Sequence, residues 1–120
     1  MKVRGIRGAI VVKENSRDEI LAKTERLISE IIAQNKMVIE DIASAVFSVT
    51  SDLDAEFPAL AARKLGWTEV PLLCTNEIPV KGSLKKCIRV LVLINSDLSQ
   101  SEIKHVYLDG AEALRKDYQK

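Results

Sequence analysis

CIRVLVLIN, residues 87–95, is the stretch on which the fold turns. Ile88, Val90, Leu91, Val92, Leu93 and Ile94 are apolar at odd and even positions alike. A short run of this kind, rich in β-branched residues, predicts a strand buried on both faces and therefore interior to a sheet. Arg89 interrupts it. Desolvating a guanidinium is costly unless the charge is paired, so its presence needs a reason. Two stand side by side: a structural ion pair, with Glu77 as the obvious partner, or contact with a small anionic ligand. Arg7 and Tyr107 are also polar groups set in apolar strands, and Glu77 follows one, which makes a shared pocket the expectation.

Outward from this strand, residues 3–12 alternate like another, broken by Gly5 and Gly8, where a bulge or a close backbone approach is expected; Arg4 and Arg7 fall on opposite faces. Ser16 and Glu19 have capping-box spacing. They open an amphipathic helix of about 20 residues, with Ile20, Leu21, Thr24, Leu27, Ile28, Ile31 and Ile32 on one face and an end near Asn35 and Lys36. Residues 43–50 favour a second strand. Residues 57–65 read as a short helix with Pro58 at its first position, where a missing amide costs nothing, and Gly66 closes it. Residues 70–75 return to extended structure, with Pro71 suited to an edge or a strand start. Residues 79–83 form a loop, Ser99 and Glu102 repeat the capping-box spacing, and residues 104–108 make a last short strand before Gly110 and a compact segment at 111–114.

The expected fold is thus α/β, in the α+β manner: a mixed sheet of about five strands with one long and one or two short helices. The long helix can cover one sheet face. Nothing comparable covers the other, and self-association is the simplest way to bury it. At 120 residues the chain makes one domain, spanning 1–120, with a single core.

Lys plus Arg number 18 against 17 Asp plus Glu, a net charge of +1. That balance argues against a broad nucleic-acid surface, which needs a strong basic bias. No stretch approaches the roughly 18 apolar residues of a membrane span, and residues 1–8 lack the layout of a signal peptide. Two isolated cysteines indicate a reduced, cytoplasmic chain. With His105 they offer no zinc-site spacing. Neither cysteine has the local signature of a nucleophile. His105 reads as a structural histidine before a catalytic base, Tyr107 as a packed aromatic with a solvated hydroxyl, and Arg63 as a helix-surface charge. Gly5 and Gly8 do not make a dinucleotide fingerprint, which needs three spaced glycines. Arginines matched to a ligand with more than one carboxylate remain the more specific reading, since the guanidinium fork can donate two parallel hydrogen bonds to a carboxylate.

Four segments, taken in order, carry a resemblance: VRGIRGA at 3–9, FPA at 57–59 with Arg63, LKKCIRV at 84–90, and HVYL at 105–108 with Leu114 and Arg115. Together they closely resemble the small trimeric α/β class of chorismate mutase, distinct from the all-helical class, over nearly the whole chain. The resemblance implies a homotrimeric pseudo α/β barrel with active sites in clefts between subunits. It also implies the Claisen rearrangement of chorismate to prephenate without metal or cofactor. Carried over by position, Arg89 donates to the breaking ether oxygen, Arg7 and Tyr107 hold the side-chain carboxylate, and Glu77 accepts from the ring hydroxyl with Cys74 nearby. Phe57, Ala59, Arg63 and Leu73 come from the adjacent subunit, Phe57 and Leu114 are apolar walls, and Arg115 closes over the site. Leu60 departs from the pattern, in which a lysine commonly follows the Pro-Ala step, and the tail after Arg115 is short, which makes a lid role modest. The competing expectation is a similarly shaped trimer that binds small acids or hydrolyses imines and enamines at subunit clefts.

Overall fold

The computed structural model describes residues 1–116 of the chain. One five-stranded sheet organises it: β1 (Lys2–Val11), β2 (Ile42–Val49), β3 (Leu72–Asn76), β4 (Cys87–Ser96) and β5 (Val106–Leu108), in the order β3-β2-β4-β1-β5. The stretch 87–95 occupies the centre as β4, antiparallel to β1 on one side and to β2 on the other. The edge strands β3 and β5 run parallel to β2 and β1. The expected mixed sheet and helix complement are those observed.

Helix α1 (Arg17–Asn35) lies across one sheet face and α2 (Ala59–Lys64) packs beside it. The period of 3.6 that announces α1 places Ile20, Leu21, Thr24, Leu27, Ile28 and Ile31 in the core. Ile20, Leu27, Ile28 and Ile31 cluster with Ile6 and Ile10 of β1, Phe47 of β2, and Ile88, Val90, Val92 and Ile94 of β4. Gly8 lets the helix come close. A Cβ there would lie 2.7 Å from Ile31 Cδ1 and 3.2 Å from both Leu27 Cδ1 and Val90 Cγ1. The glycine signal is therefore close approach, and the β1–β4 register runs without a bulge.

Three local expectations shift. Ser16 caps α1 by accepting from the Glu19 amide at 3.2 Å. Glu19 does not return the bond to Ser16, because its Oε1 accepts from the Lys13 amide at 3.3 Å while the Ser16 amide donates to Glu14. β3 begins at Leu72 and not at Val70, since Pro71 has no amide for the ladder; its carbonyl accepts from Ala45 instead. β5 is shorter than 104–108. The Lys104 backbone is engaged on both sides by Asn35, whose Nδ2 donates to the Lys104 carbonyl and whose Oδ1 accepts from its amide, each at 2.9 Å.

The opposite sheet face carries Val3, Arg7 and Ala9 of β1, Leu91 and Arg89 of β4, Val46 and Ser48 of β2, Leu73 of β3 and Tyr107 of β5, by strand alternation. Among the described residues only one corner is covered, where α3 (Glu112–Lys116) and its lead-in pack Ala111 and Leu114 against Ala9, Cys87 and Tyr107. Val3, Leu73 and Leu91 stay exposed there. Asp109, at φ 51°, ties this corner back to α1 through Lys23 at 2.8 Å and Arg26 at 2.6 Å.

Candidate active site

Four polar side chains converge on the uncovered face. Arg7 comes from the middle of β1, Arg89 from the start of β4, Tyr107 from the middle of β5, and Glu77 from just past β3. With Gly8, Val46, Ser48, Val90 and Leu91 they line a cavity of about 420 Å³. The register explains the meeting: Arg89 pairs with Ala9 of β1 and Ser48 of β2, and Ala9 pairs with Tyr107. The Glu77 backbone is docked on β2 by its amide, which donates to the Val49 carbonyl at 2.9 Å.

Arg89 Nη1 donates to Glu77 Oε1 at 3.0 Å, with both side chains partly exposed. The ion pair and the pocket were alternatives for Arg89 in the sequence, and in the structure they coincide. Glu77 orients the guanidinium within the cavity and compensates part of its desolvation. Tyr107 departs from expectation, because its hydroxyl is buried and has no hydrogen-bond partner among the described residues. A buried, unsatisfied hydroxyl costs about 1–3 kcal/mol until an acceptor reaches it.

A second cavity of about 380 Å³ adjoins the first through Arg7 and Tyr107, and is lined further by Gln34, Ile103, Lys104, His105 and Arg115. None of these groups is acidic. His105 Nδ1 accepts from the Arg7 backbone amide at 2.9 Å. Burial, and then the Arg7 and Arg115 charges, hold its pKa below the ordinary histidine value. Leu114 packs next to Tyr107 in the corner cluster.

The other expected residues gather elsewhere on the chain. Phe57, 68% exposed, and Cys74 line a separate cleft of about 330 Å³ with Val49, Leu53 and Pro58. Cys74, expected near Glu77, does not line the Glu77 cavity within one chain: it pairs with the buried Phe47, and alternation turns it to the helix-covered side. Leu73, one residue earlier, is exposed on the open face. Arg63 is exposed on α2, whereas Ala59 is buried, its methyl spent on the main core. Leu60 is partly buried beside them. Cys87 is inert as a thiol, since burial pushes its pKa up to about 11. Lys116 to Lys120, on which the short-tail lid reading falls, lie outside the described side chains. Val46, Ser48 and the second cavity's Gln34 were missed from sequence; the alternation of β2 would have put Val46 and Ser48 on one face once the neighbouring strand was known. Among the described residues, no group of three or more His, Cys, Asp or Glu side chains could hold a metal ion, and no helix is long and apolar enough to cross a membrane.

An arginine-lined cavity on the bare face of a mixed five-stranded sheet is the arrangement of a small-acid site. The chain matches the family model described as chorismate mutase type I over residues 3–118, and it belongs to that family. It is 47% identical over 118 residues to chorismate mutase AroH of Bacillus subtilis (strain 168), covering 98% of this chain and 93% of the relative. Identity to chorismate mutase AroH of Thermus thermophilus is 47% over 116 residues, covering 96% and 95%. The solved chorismate mutase from Clostridium thermocellum superposes with a TM-score of 0.90 at 52% identity, covering 91% of this chain and 97% of that one. Membership in this family sets aside the imine or enamine hydrolase alternative.

Proposed function

We propose that the cavity of Arg7, Glu77, Arg89 and Tyr107 is where this type I chorismate mutase rearranges chorismate to prephenate. The observation that carries the reading is the convergence of those four side chains, from four separate segments, on one cavity of about 420 Å³. Chorismate presents two carboxylates, an enolpyruvyl ether and a ring hydroxyl. In its Claisen rearrangement one C–O bond breaks as one C–C bond forms, so no nucleophile is required and no proton changes hands.

Two effects then supply the rate. Arg7 and the unsatisfied Tyr107 hydroxyl hold the side-chain carboxylate and select the folded conformer in which the reacting carbons meet. Arg89, oriented by Glu77, donates to the ether oxygen as negative charge gathers there; this contact strengthens toward the transition state and so lowers the barrier instead of merely tightening ground-state binding. Glu77 accepts from the ring hydroxyl. Arg115 and Leu114, at the corner of the face, close the pocket on one side.

The remaining walls belong to a neighbour. Phe57, Arg63 and Leu73 lie away from the Arg89 cavity within one chain, and Val3, Leu73 and Leu91 leave the same sheet face apolar and exposed. A homotrimer that packs these faces around a pseudo-barrel buries that surface and brings Phe57, Arg63 and Leu73 to the next subunit's cavity, with Ala59 and Cys74 supporting them from behind. Trimer formation in the cytoplasm without cofactor or metal completes the reading. Following loss of chorismate absorbance tests it: turnover well above the spontaneous rate is expected, and folded trimer that converts chorismate no faster than buffer would overturn it.

A further inference from the structure

His105 takes no direct part in the rearrangement as described, yet it holds the backbone of a residue that does. β5 pairs with β1 only from Val106, opposite Gly8. One residue earlier, where a longer strand would offer a carbonyl, the Arg7 amide donates to the His105 ring at Nδ1, 2.9 Å away. The imidazole thus continues the ladder by one bond at the residue whose side chain enters both cavities. Two other contacts fix this end of β5: Asn35 of α1 grips the Lys104 backbone, and Val106 is buried in the core.

An accepting Nδ1 requires the neutral ring with its proton on Nε2. Protonation turns Nδ1 into a donor facing another donor, and it does so in an unfavourable field. Among the described residues, the polar groups that line the cavity with the ring are Arg7 from β1, Gln34 from α1, Lys104 beside it, Tyr107 from β5 and Arg115 from α3, none of them a carboxylate. The surroundings therefore favour the form that makes the bond, and the lowered pKa agrees.

Resting on the site reading above, we propose that His105 is a positioning residue for chorismate binding: the neutral imidazole fixes the Arg7 backbone, and through it the guanidinium, and this hold is released in acid. The test uses the full chain in its native assembly. In ligand-free ¹⁵N–¹H spectra taken from pH 8 to 4.5, the Arg7 amide is expected to shift along the His105 titration, with a midpoint below the ordinary histidine value. His105→Asn, which keeps an acceptor but does not titrate, should remove that shift. It should also keep kcat/KM near the wild-type level at neutral pH and flatten the acid fall expected of the wild type. His105→Ala should lose about tenfold in kcat/KM at neutral pH, carried mainly by KM. An Arg7 amide indifferent to the His105 titration would overturn the proposal, as would wild-type KM in His105→Ala beside a strongly impaired Arg7→Ala. Full activity in Arg7→Ala would instead overturn the site reading, and the role of His105 with it.

Discussion

Arg89 and Glu77, 3.0 Å apart in the lining of the cavity, make one device. A guanidinium in an apolar strand has to recover its lost hydration from polar partners. Glu77 supplies one and orients the plane in which the fork presents its N–H groups. Geometry, then, matters here as much as charge, and Arg89→Lys is expected to cost roughly 3 kcal/mol of transition-state stabilisation, lowering kcat about two orders of magnitude in steady-state chorismate turnover. Near-normal kcat in that variant would remove Arg89 from the role assigned to it. Stability carries its own residue-scale signature. His105 titrates below its ordinary value, so the unfolded chain takes up a proton near pH 6.5 that the native chain refuses. Urea midpoints measured at fixed protein concentration should hold above about pH 6.5 and fall as the pH drops below it. A further fall comes in stronger acid, as Asp109 loses its bonds to Lys23 and Arg26 and Glu102 loses its bonds to Ser99. Arg7, Glu77, Arg89 and Tyr107 were legible from sequence because each is a polar group embedded in or abutting apolar strand. The burial of the Tyr107 hydroxyl was not, since it depends on packing against residues far along the chain.

At the scale of elements, α1 and β4 were plain from sequence because each follows a periodicity set by its own residues, 3.6 in the helix and unbroken apolarity in the strand. Edges were less legible. β5 stops short because side chains of His105 and Asn35 take the hydrogen bonds that a longer strand would use, and no local pattern announces that substitution. Gly8 sits between these cases: its glycine signal is local, but its meaning, contact with α1, is tertiary. Adding Val at position 8 would drive two methyl groups into Ile31, Leu27 and Val90, all of them buried. Gly8→Val is expected to destabilise the fold by about 1–3 kcal/mol in denaturant unfolding. Its neighbours Arg7 and Ala9 face the other way, so the loss should appear in the unfolding midpoint before it appears in chorismate turnover.

For the whole molecule, the sequence disclosed an uncovered sheet face but not the strand order, because pairing partners lie far apart along the chain. That face explains why the expected site residues divide into two groups in one subunit. Val3 lies on it, 58% exposed and outside the lining of the Arg89 cavity. Val3→Asp places a charge in the surface that trimerisation would bury, where desolvation opposes association. Sedimentation should show subunits smaller than the wild-type assembly, with chorismate turnover lost alongside; an active, stably monomeric variant would refute the shared site. The strand order has one more consequence, in time. β1 and β2 do not touch each other in the sheet, and both pair with β4, which follows them late in the chain. During synthesis β1 must therefore wait unpaired, and β2 can pair only with β3, sheltered by α1 and α2, until residues 87–96 emerge to sit between the two strands. Closure is non-local and correspondingly slow, and in that interval the exposed strand edges are the part of the nascent chain most open to capture by chaperones or to pairing with the wrong molecule.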